Sequence, residues 1–585
     1  MERKANLINK AFNQYLWASV LAVAATQIAN IVDAIIVGNL IGEEGLAAVN
    51  LNKPLLQAFF SVTCLYVASS TMFAGMAIGR GDRKAADRLF TFSMGLSLLL
   101  GVLFTTSGLL CFAPLSGLLC QSETLRPLLE PYMLVTLLSA VPQLLMLSLN
   151  QFVTVDGEPK LVSRSIIISN IVNIVLDVLF IKYFSWGIRG AAIATCVMYV
   201  VCILLVLPHF RKKGSLRLCR TKLRDVGIWR IISIGLPLFL STVLLSVQYV
   251  GNNYIASRFL GDNGLYALAV CMQLFAFSMI IVTGTIRTVQ PVGAILKGLD
   301  DSKGMLMLMK RSYAFMAACY VVFTLLLVLL PGQIGSLLGV TEGGGLDMVK
   351  KALPLFALNI VAQGLLCNML CAFQFYERKG LSLLLSITQT LLPMLFFLIL
   401  RGNWIGFFVG QVVTALAVFV WGMVLRRKDP SLCRLLLIPM KDDTKVMDMS
   451  LEPTTTSLSE AIASLRSFLT SGGLSAHTVN VATVCTEEFV CNIIRHGHAG
   501  SIDLAATVND GAVRISIHDD GAAFNPVEAV KAASGNALQT VSDAAGPVHS
   551  DGRIGLGLTL ATAFCHDLDY KYIFNQNMLT LKIHD

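Results

Sequence analysis

Charge is what this sequence has least of. Asp, Glu, Lys and Arg make up 14% of its 585 residues, against about 25% in an ordinary soluble protein. Hydrophobic residues reach 55%, and a soluble chain that apolar could not cover its own surface. A conventional soluble enzyme over the whole length is therefore excluded; most of the chain belongs in a lipid bilayer. Cysteine pairing is missing too. The 14 cysteines are scattered, no CxxC occurs, and the nearest approach, Cys367 and Cys371, lies inside one apolar stretch. That pattern excludes a disulfide framework and a thiolate zinc site. No small-residue cleavage site follows Arg3, Lys4 and Lys10, so the first apolar stretch reads as a retained helix rather than a signal peptide. No stripe of basic residues interleaved with aromatics accompanies the net charge of +9, which excludes nucleic acid as a partner and leaves lipid and cytosol.

What is present in quantity is apolar helix. Crossing a bilayer takes about 20 mostly apolar residues, and twelve such stretches lie between residues 12 and 425, six in each half. Loop charge orients them. With the N-terminus inside, the cytoplasmic side receives 27 Lys and Arg and the other side 8, as the excess of positive charge in cytoplasmic loops requires. The expected chain is thus a multi-pass protein of the cell membrane with both termini in the cytoplasm. An internal repeat supports the division into halves. At an offset of 219, Gly42, Gly45, Leu46, Ala48, Gly79, Asp82 and Lys84 meet Gly261, Gly264, Leu265, Ala267, Gly298, Asp301 and Lys303. A parallel repeat of six helices implies two lobes with a cleft between them where substrate binds. The expected boundaries are 1–210 for the first lobe, 211–430 for the second, a linker at 431–446 and a soluble α+β domain at 447–585.

Ionisable groups within a bilayer are costly and mark sites. Three stand out: Asp33 in the first span, Asp177 in the fifth with Asn173 one turn earlier on the same face, and Arg287 in the eighth. A carboxyl kept from water holds its proton more firmly, so the acids could exchange H⁺, or could hold Na⁺; they could equally be hydrogen-bond acceptors that lock helices together. Arg287 could face the cleft and favour anions, pair with a carboxylate, or sit at a kinked interface. Gln248 and Gln363 rank below these as polar residues of the cleft or as glue between helices.

In order along the chain, "VDAIIVGNLIGEEGLAAV", "GRGDRKAADR", "VDGEPKL", "NIVNIVLDVLF" and "WGIRGAAIAT" resemble successive signatures of the multidrug and toxic compound extrusion (MATE) family. The likeness covers residues 5–428. It implies a twelve-helix, two-lobe antiporter that exports organic, cationic or amphipathic compounds in exchange for H⁺ or Na⁺. Carried over position by position, the coupling set is Asp33, Asn173, Asp177 and Thr195. The seventh and tenth spans lack the acids that another branch of the family carries there, a departure that favours coupling in the first lobe.

The tail holds three further motifs. In "TEEFVCNIIRHGH", Glu488, Asn492 and His496 recur every four residues and so line one helix face; Glu487 is off that face. "HDDGAAFNP" places Asp519 at a strand end with Gly521 two residues on, and "GRIGLGL" opens a helix with Gly555 and Gly557, where free N–H groups suit phosphate. Together they resemble the histidine-kinase-like ATPase fold in its anti-sigma-factor serine-kinase branch. That resemblance implies Glu488 as the catalytic base, Asn492 as the Mg²⁺ ligand, Asp519 as the adenine acceptor, and an ATP site that also includes His496, Gly521, Gly555, Gly557 and Thr580, with Arg553 as a candidate for charge neutralisation. A phosphoacceptor would come from a partner protein, because no acceptor domain is visible in the chain. There is no GxxxxGK[ST] loop, which argues against an ATP-driven pump of the ABC type. Three functions follow: ion-coupled export regulated by the ATPase domain, a membrane-anchored serine/threonine kinase using the transporter half as a ligand sensor, or flipping of a lipid-linked saccharide.

Overall fold

The computed structural model describes every residue except 1–3, 121–124, 212–214, 222–225, 339–343, 434–435, 440–445, 510–511, 530–566 and 585. It forms two compact units. Residues Tyr15–Asp301 and Leu308–Ile438 make one; Met1–Gln14, Ser302–Met307 and Pro439–Asp585 make the other.

The larger unit is helical. Its elements are α1 (Asn6–Leu40), α2 (Glu43–Arg80), α3 (Arg83–Leu110), α4 (Phe112–Leu119), α5 (Arg126–Leu138), α6 (Ala140–Val155), α7 (Pro159–Val178), α8 (Ile188–Val206), α9 (Ile228–Gly298), α10 (Ser302–Leu329), α11 (Pro331–Leu337), α12 (Gly344–Phe375), α13 (Lys379–Ile399) and α14 (Ile405–Lys428). Among the described residues, ten are long and apolar enough to cross a membrane. The 71 residues of α9 are interrupted at Gly261, so α9 supplies two crossings, and α5 with α6, bent by 49°, supplies one more. Twelve crossings result among the described residues, the number the hydropathy of the sequence predicts.

The repeat is written into the backbone. Gly42, between α1 and α2, has a φ of 101°, and Gly261, its mate at the offset of 219, has a φ of 64°. Glycine is suited to both breaks because it alone enters positive φ freely. The halves meet where α2 crosses the end of α9. A Cβ built on Gly75 would lie 2.6 Å from Cβ of Ala294, again its mate at 219. Small residues allow this approach, as they do wherever membrane helices pack closely.

Polar clamps tie the same end of the bundle. The buried Asp156 carboxylate accepts from His209 Nε2 at 2.8 Å and Leu216 N at 3.1 Å and pairs with Arg83 at 3.0 Å. Arg217 N and Cys219 N donate to Asp87 and Thr91 of α3, both at 2.9 Å. In the second half Arg230 of α9 pairs with Glu377 and lies over the ring of Phe73, 4.7 Å from its centroid.

The smaller unit contains a two-layer α+β fold. Strands β1 (Val446–Leu451), β2 (Ile502–Asn509), β3 (Ala512–Asp519), β4 (Asp567–Ile573) and β5 (Gln576–His584) form an antiparallel sheet in the order β1-β2-β3-β5-β4. Helices α15 (Thr455–Ser471) and α16 (Ala476–Asn492) start on Thr454 and Ser475, whose side chains accept from Ser457 N and Thr478 N, satisfying amides the helices leave unpaired. Their apolar faces, including Leu465, Leu469, Ala482, Cys485 and Phe489, bury Ile502, Ile515, Ile517 and Leu581 of the sheet. Alternation along the strands sends every second residue to that core. The start of α1 belongs to the same unit: Lys4 N donates to Ser450 Oγ at 2.8 Å, Gln576 Nε2 donates to Leu7 O at 2.8 Å, and Lys10 pairs with Asp520.

Candidate functional site

In the helical unit the sequence-predicted acids come together. Asp33 on α1 and Asp177 on α7 present their carboxyl groups to each other. Asp177 is fully buried, and both its oxygens and Oδ1 of Asp33 are buried without a hydrogen bond of ordinary geometry. Asn173, one turn before Asp177, is also buried, and its Nδ2 is unpartnered as well. A π turn, Leu179–Tyr183, follows directly on α7; such widened turns concentrate at functional sites. Thr195 on α8 donates to Ala191 O at 3.1 Å, which leaves its oxygen free to accept. Two residues absent from the sequence reasoning complete the surroundings. Tyr132 of α5 lies within electrostatic reach of both acids and Tyr199 of α8 within reach of Asp33, and both are buried. Tyr199 stands one turn beyond Thr195, so its place on the Thr195 face was the available signal. The donor set, two carboxylates with amide and hydroxyl oxygens, is hard and suits a proton or an alkali cation.

Arg287 lies elsewhere, in the second half of α9. Its side chain is exposed while Thr285, Thr288 and Val289 around it are completely buried. It pairs with no carboxylate among the described residues; Cys64 of α2 is its ionisable neighbour. Gln363 is structural: Gln411 Nε2 donates to it at 3.4 Å and to Asn359 Oδ1 at 3.2 Å and Gln389 O at 3.1 Å, a neutral network joining α12, α13 and α14. Gln248 is buried in α9.

In the smaller unit Glu488 is half-buried on α16 and Glu487 exposed. Asn492 Nδ2 donates to Glu488 O at 2.8 Å, leaving Oδ1 available to a hard cation. His496 corrects the expectation of a single face. After Asn492 the helix widens into a π turn, Ile493–Gly497, so a spacing of four no longer repeats the face, and His496 is exposed. Asp519 closes β3. Its Oδ1 accepts from Gly521 N and Asn577 Nδ2, both at 2.9 Å. Burial pushes its carboxyl above the usual carboxylate range, and the charge of Asp520 adds to this against those two bonds. Burial also pushes Asp520 up, but Lys10 and the Ser501 and Gly500 amides outweigh it and hold that carboxyl low. Gly521 has no room for a side chain: a Cβ there would lie 2.3 Å from Gly497 O.

Thr580 is the second correction. In the β3–β5 register Thr580 pairs with Ser516, and Asn577 with Asp519. The two positions on β5 differ by three, so their side chains emerge on opposite faces. Asn577, not Thr580, stands beside Asp519; it also accepts from Tyr570 Oη at 2.6 Å and Phe524 N at 3.2 Å. Gly555, Gly557 and Arg553, with the loop before them, lie outside the described residues. A buried carboxylate acceptor beside a glycine, with an amide oxygen from Asn492, is a donor set that fits adenine and Mg²⁺.

Comparison with known proteins bears on both units. Residues 18–179 match the MatE family, and residues 451–583 match the histidine kinase-like ATPase domain family. The chain is 23% identical over 291 residues to the multidrug export protein MepA of Staphylococcus haemolyticus, covering 49% of this chain and 64% of that one. It is 24% identical over 330 residues to MepA of Staphylococcus saprophyticus, covering 55% and 70%. The first of these is thus matched over just under two thirds of its length. Among solved structures, a MOP superfamily transporter from Pyrococcus furiosus, described as having a binding pocket of reverse polarity, superposes with a TM-score of 0.64 at 23% identity, covering 73% of this chain and 98% of that one. A Vibrio cholerae MATE transporter gives 0.63 at 20% identity, with 73% and 98% covered. These superpositions establish the fold.

Proposed function

Because the chain joins a MATE-type membrane region to a histidine-kinase-like ATPase domain, we propose that it exports an amphipathic organic compound in exchange for H⁺ or Na⁺, under the control of ATP bound by its tail. One observation carries the reading: the carboxyl groups of Asp33 and Asp177, 144 positions apart in the sequence, meet with Asp177 fully buried and with both its oxygens and Oδ1 of Asp33 lacking a hydrogen bond of ordinary geometry. Two carboxylates held together out of water repel each other unless a cation lies between them. A proton or Na⁺ taken up there removes the repulsion and lets α1 and α7 close; its release restores it. Uptake at one side of the membrane and release at the other thereby biases the arrangement of the lobes. The buried Tyr132 and Tyr199 lie within electrostatic reach of the pair, and Asn173 and Thr195 offer further oxygens.

The loop charge supports a cytoplasmic tail, where ATP is available. Asp519 would accept from the adenine amino group, Asn492 would hold Mg²⁺, and Glu488 stands on the same helix face as Asn492, placed to position a water or a hydroxyl. Bound Mg²⁺ would supply charge neutralisation at the phosphates. The half-buried Glu488 favours one extension of this reading: phosphorylation of a serine or threonine on a partner protein.

The test is flux. Protein reconstituted in liposomes under a pH or Na⁺ gradient should extrude a fluorescent amphipathic substrate, with ATP altering the rate. Flux that needs ATP hydrolysis and ignores both gradients would sink the reading.

A further inference from the structure

Helical phase and packing fix where Arg287 points. Arg287, Pro291, Ala294 and Gly298 recur at intervals of four, three and four, the stripe of a single helix face. Ala294 and Gly298 on that stripe touch α2: Gly75 would place a Cβ 2.6 Å from Ala294, and Gly298 would place one 2.2 Å from Met76 O. The facing stripe on α2 is Cys64, Ala68, Gly75 and Gly79. Arg287 therefore faces α2, two turns beyond the point where the helices touch. There the helices have separated, since its side chain is exposed while its neighbours along α9 are buried. A small pocket lies one turn nearer the contact, lined by Ala68, Ser69 and Met72 of α2, Ile234 and Gln290 of α9 and Gln374 and Phe375 of α12. The guanidinium thus stands on the α2-facing side of α9, one turn from a small pocket of mixed polar and apolar lining.

Its charge has no answer there. No carboxylate pairs with it among the described residues, its ionisable neighbour is the Cys64 thiol, and the acids Asp33 and Asp177 present their carboxyl groups to each other. A cation in a cleft walled by apolar helices costs several kcal/mol unless an anion joins it, and the fork of donors on arginine matches carboxylate, sulfonate or phosphate oxygens.

We infer that Arg287 is the anion-binding residue of the cleft and that its ligand is an amphipathic organic anion, the acidic group on the guanidinium and the apolar body against α2 and α9. This names the substrate class for the export reading and rests on it. The acidic group could belong to a free amphiphile or to a lipid headgroup; the chemistry is the same.

Full-length protein in nanodiscs is titrated with dansylglycine and dansylcholine, which share one aromatic body and differ in the sign of charge. Wild type should bind dansylglycine, and Arg287→Gln should weaken that binding at least about tenfold while leaving dansylcholine unaffected or tighter. Should Arg287→Gln fold poorly, Cys64→Asp provides the second arm, because a carboxylate beside the guanidinium should neutralise it from within and weaken dansylglycine comparably. Weaker binding in phosphatidylglycerol discs than in phosphatidylcholine discs would assign the site to a lipid headgroup; equal binding would assign it to a free amphiphile. Either supports the anion site. Wild type that binds only dansylcholine, or a dansylglycine affinity unchanged by both variants, overturns it. No ion gradient enters these readouts, so a protein that binds the anion through Arg287 yet transports nothing would refute export and leave this inference standing.

Discussion

Gly79 and Gly298 face each other across the α2–α9 crossing so closely that a Cβ built on either would stand 2.9 Å from the other's Cα, with backbone carbonyls nearer still. They are also repeat mates, 219 residues apart. A symmetric contact of this kind is where two related lobes can seal one end of a shared cleft. Gly79→Val should force the crossing open and cost about 1–3 kcal/mol. The check is the thermal midpoint of the purified protein. Because the two residues share one contact, Gly79→Val with Gly298→Val should cost less than the sum of the single changes; full additivity would show that the crossing is not a unit.

The acid pair makes a sharper kinetic prediction. Asp33→Asn and Asp177→Asn should each abolish gradient-driven flux, and the double variant should behave like either single, because residues that act together do not add. Thermal midpoints should stay near wild type or rise, since each change removes like-charge repulsion. A variant that loses fold and flux together would indicate acids that merely lock helices.

At the proposed nucleotide site Asn577 and Thr580 can be told apart. Asn577→Ala removes a hydrogen bond from the buried Asp519 carboxylate, and an uncompensated buried acceptor costs about 1–3 kcal/mol. Binding of a fluorescent ATP analogue should therefore weaken by about tenfold or more, while Thr580→Ala should change it by less than about twofold. The reverse ranking would mean that the β5 register is wrong.

Acid should loosen the N-terminal segment. The Asp520 carboxyl is held low in the folded state by Lys10 and two amides despite its burial. A lowered carboxyl contributes stability that is present above the ordinary aspartate value, about pH 4, and is lost as pH falls through the folded value. Asp520→Asn and Lys10→Met should both flatten the acid limb of a stability-versus-pH curve for the full-length protein, followed by the unfolding of the ATPase-like unit. A limb as steep as wild type in both variants would rule out this pair as its source.

Most of the architecture could be read from residue order because hydropathy and repeats are local signals. The twelve crossings, the break at Gly42 with its mate at Gly261, and the tail with its Asp519–Gly521 turn all announce themselves in runs of a few residues. What stayed hidden depends on tertiary placement. Tyr132 and Tyr199 are ordinary aromatics in apolar spans until α5 and α8 pack against the acids. Asn577 and Thr580 are exchangeable polar residues until strand parity assigns them to opposite faces. His496 keeps the spacing of the Glu488 face on paper, and a widened turn moves it off. The pairing of Asp156 with His209 and Arg83 likewise joins the end of α6, the turn after α8 and the start of α3, which no spacing rule connects.

That widened turn has a structural consequence of its own. Ala522 N donates to Gly497 O at 2.9 Å, and the missing Cβ of Gly521 lets the two backbones touch. The end of the helix bearing Asn492 and the loop bearing Asp519 are therefore bolted together like the jaws of a fixed gauge. On the proposed nucleotide reading, the distance between a metal held by Asn492 and a base held by Asp519 would be set by the protein rather than by the guest. Nucleotides of a different length or base shape would be turned away by geometry, and changing that preference would require rebuilding the joint at Gly497 and Gly521, not exchanging a single contact residue.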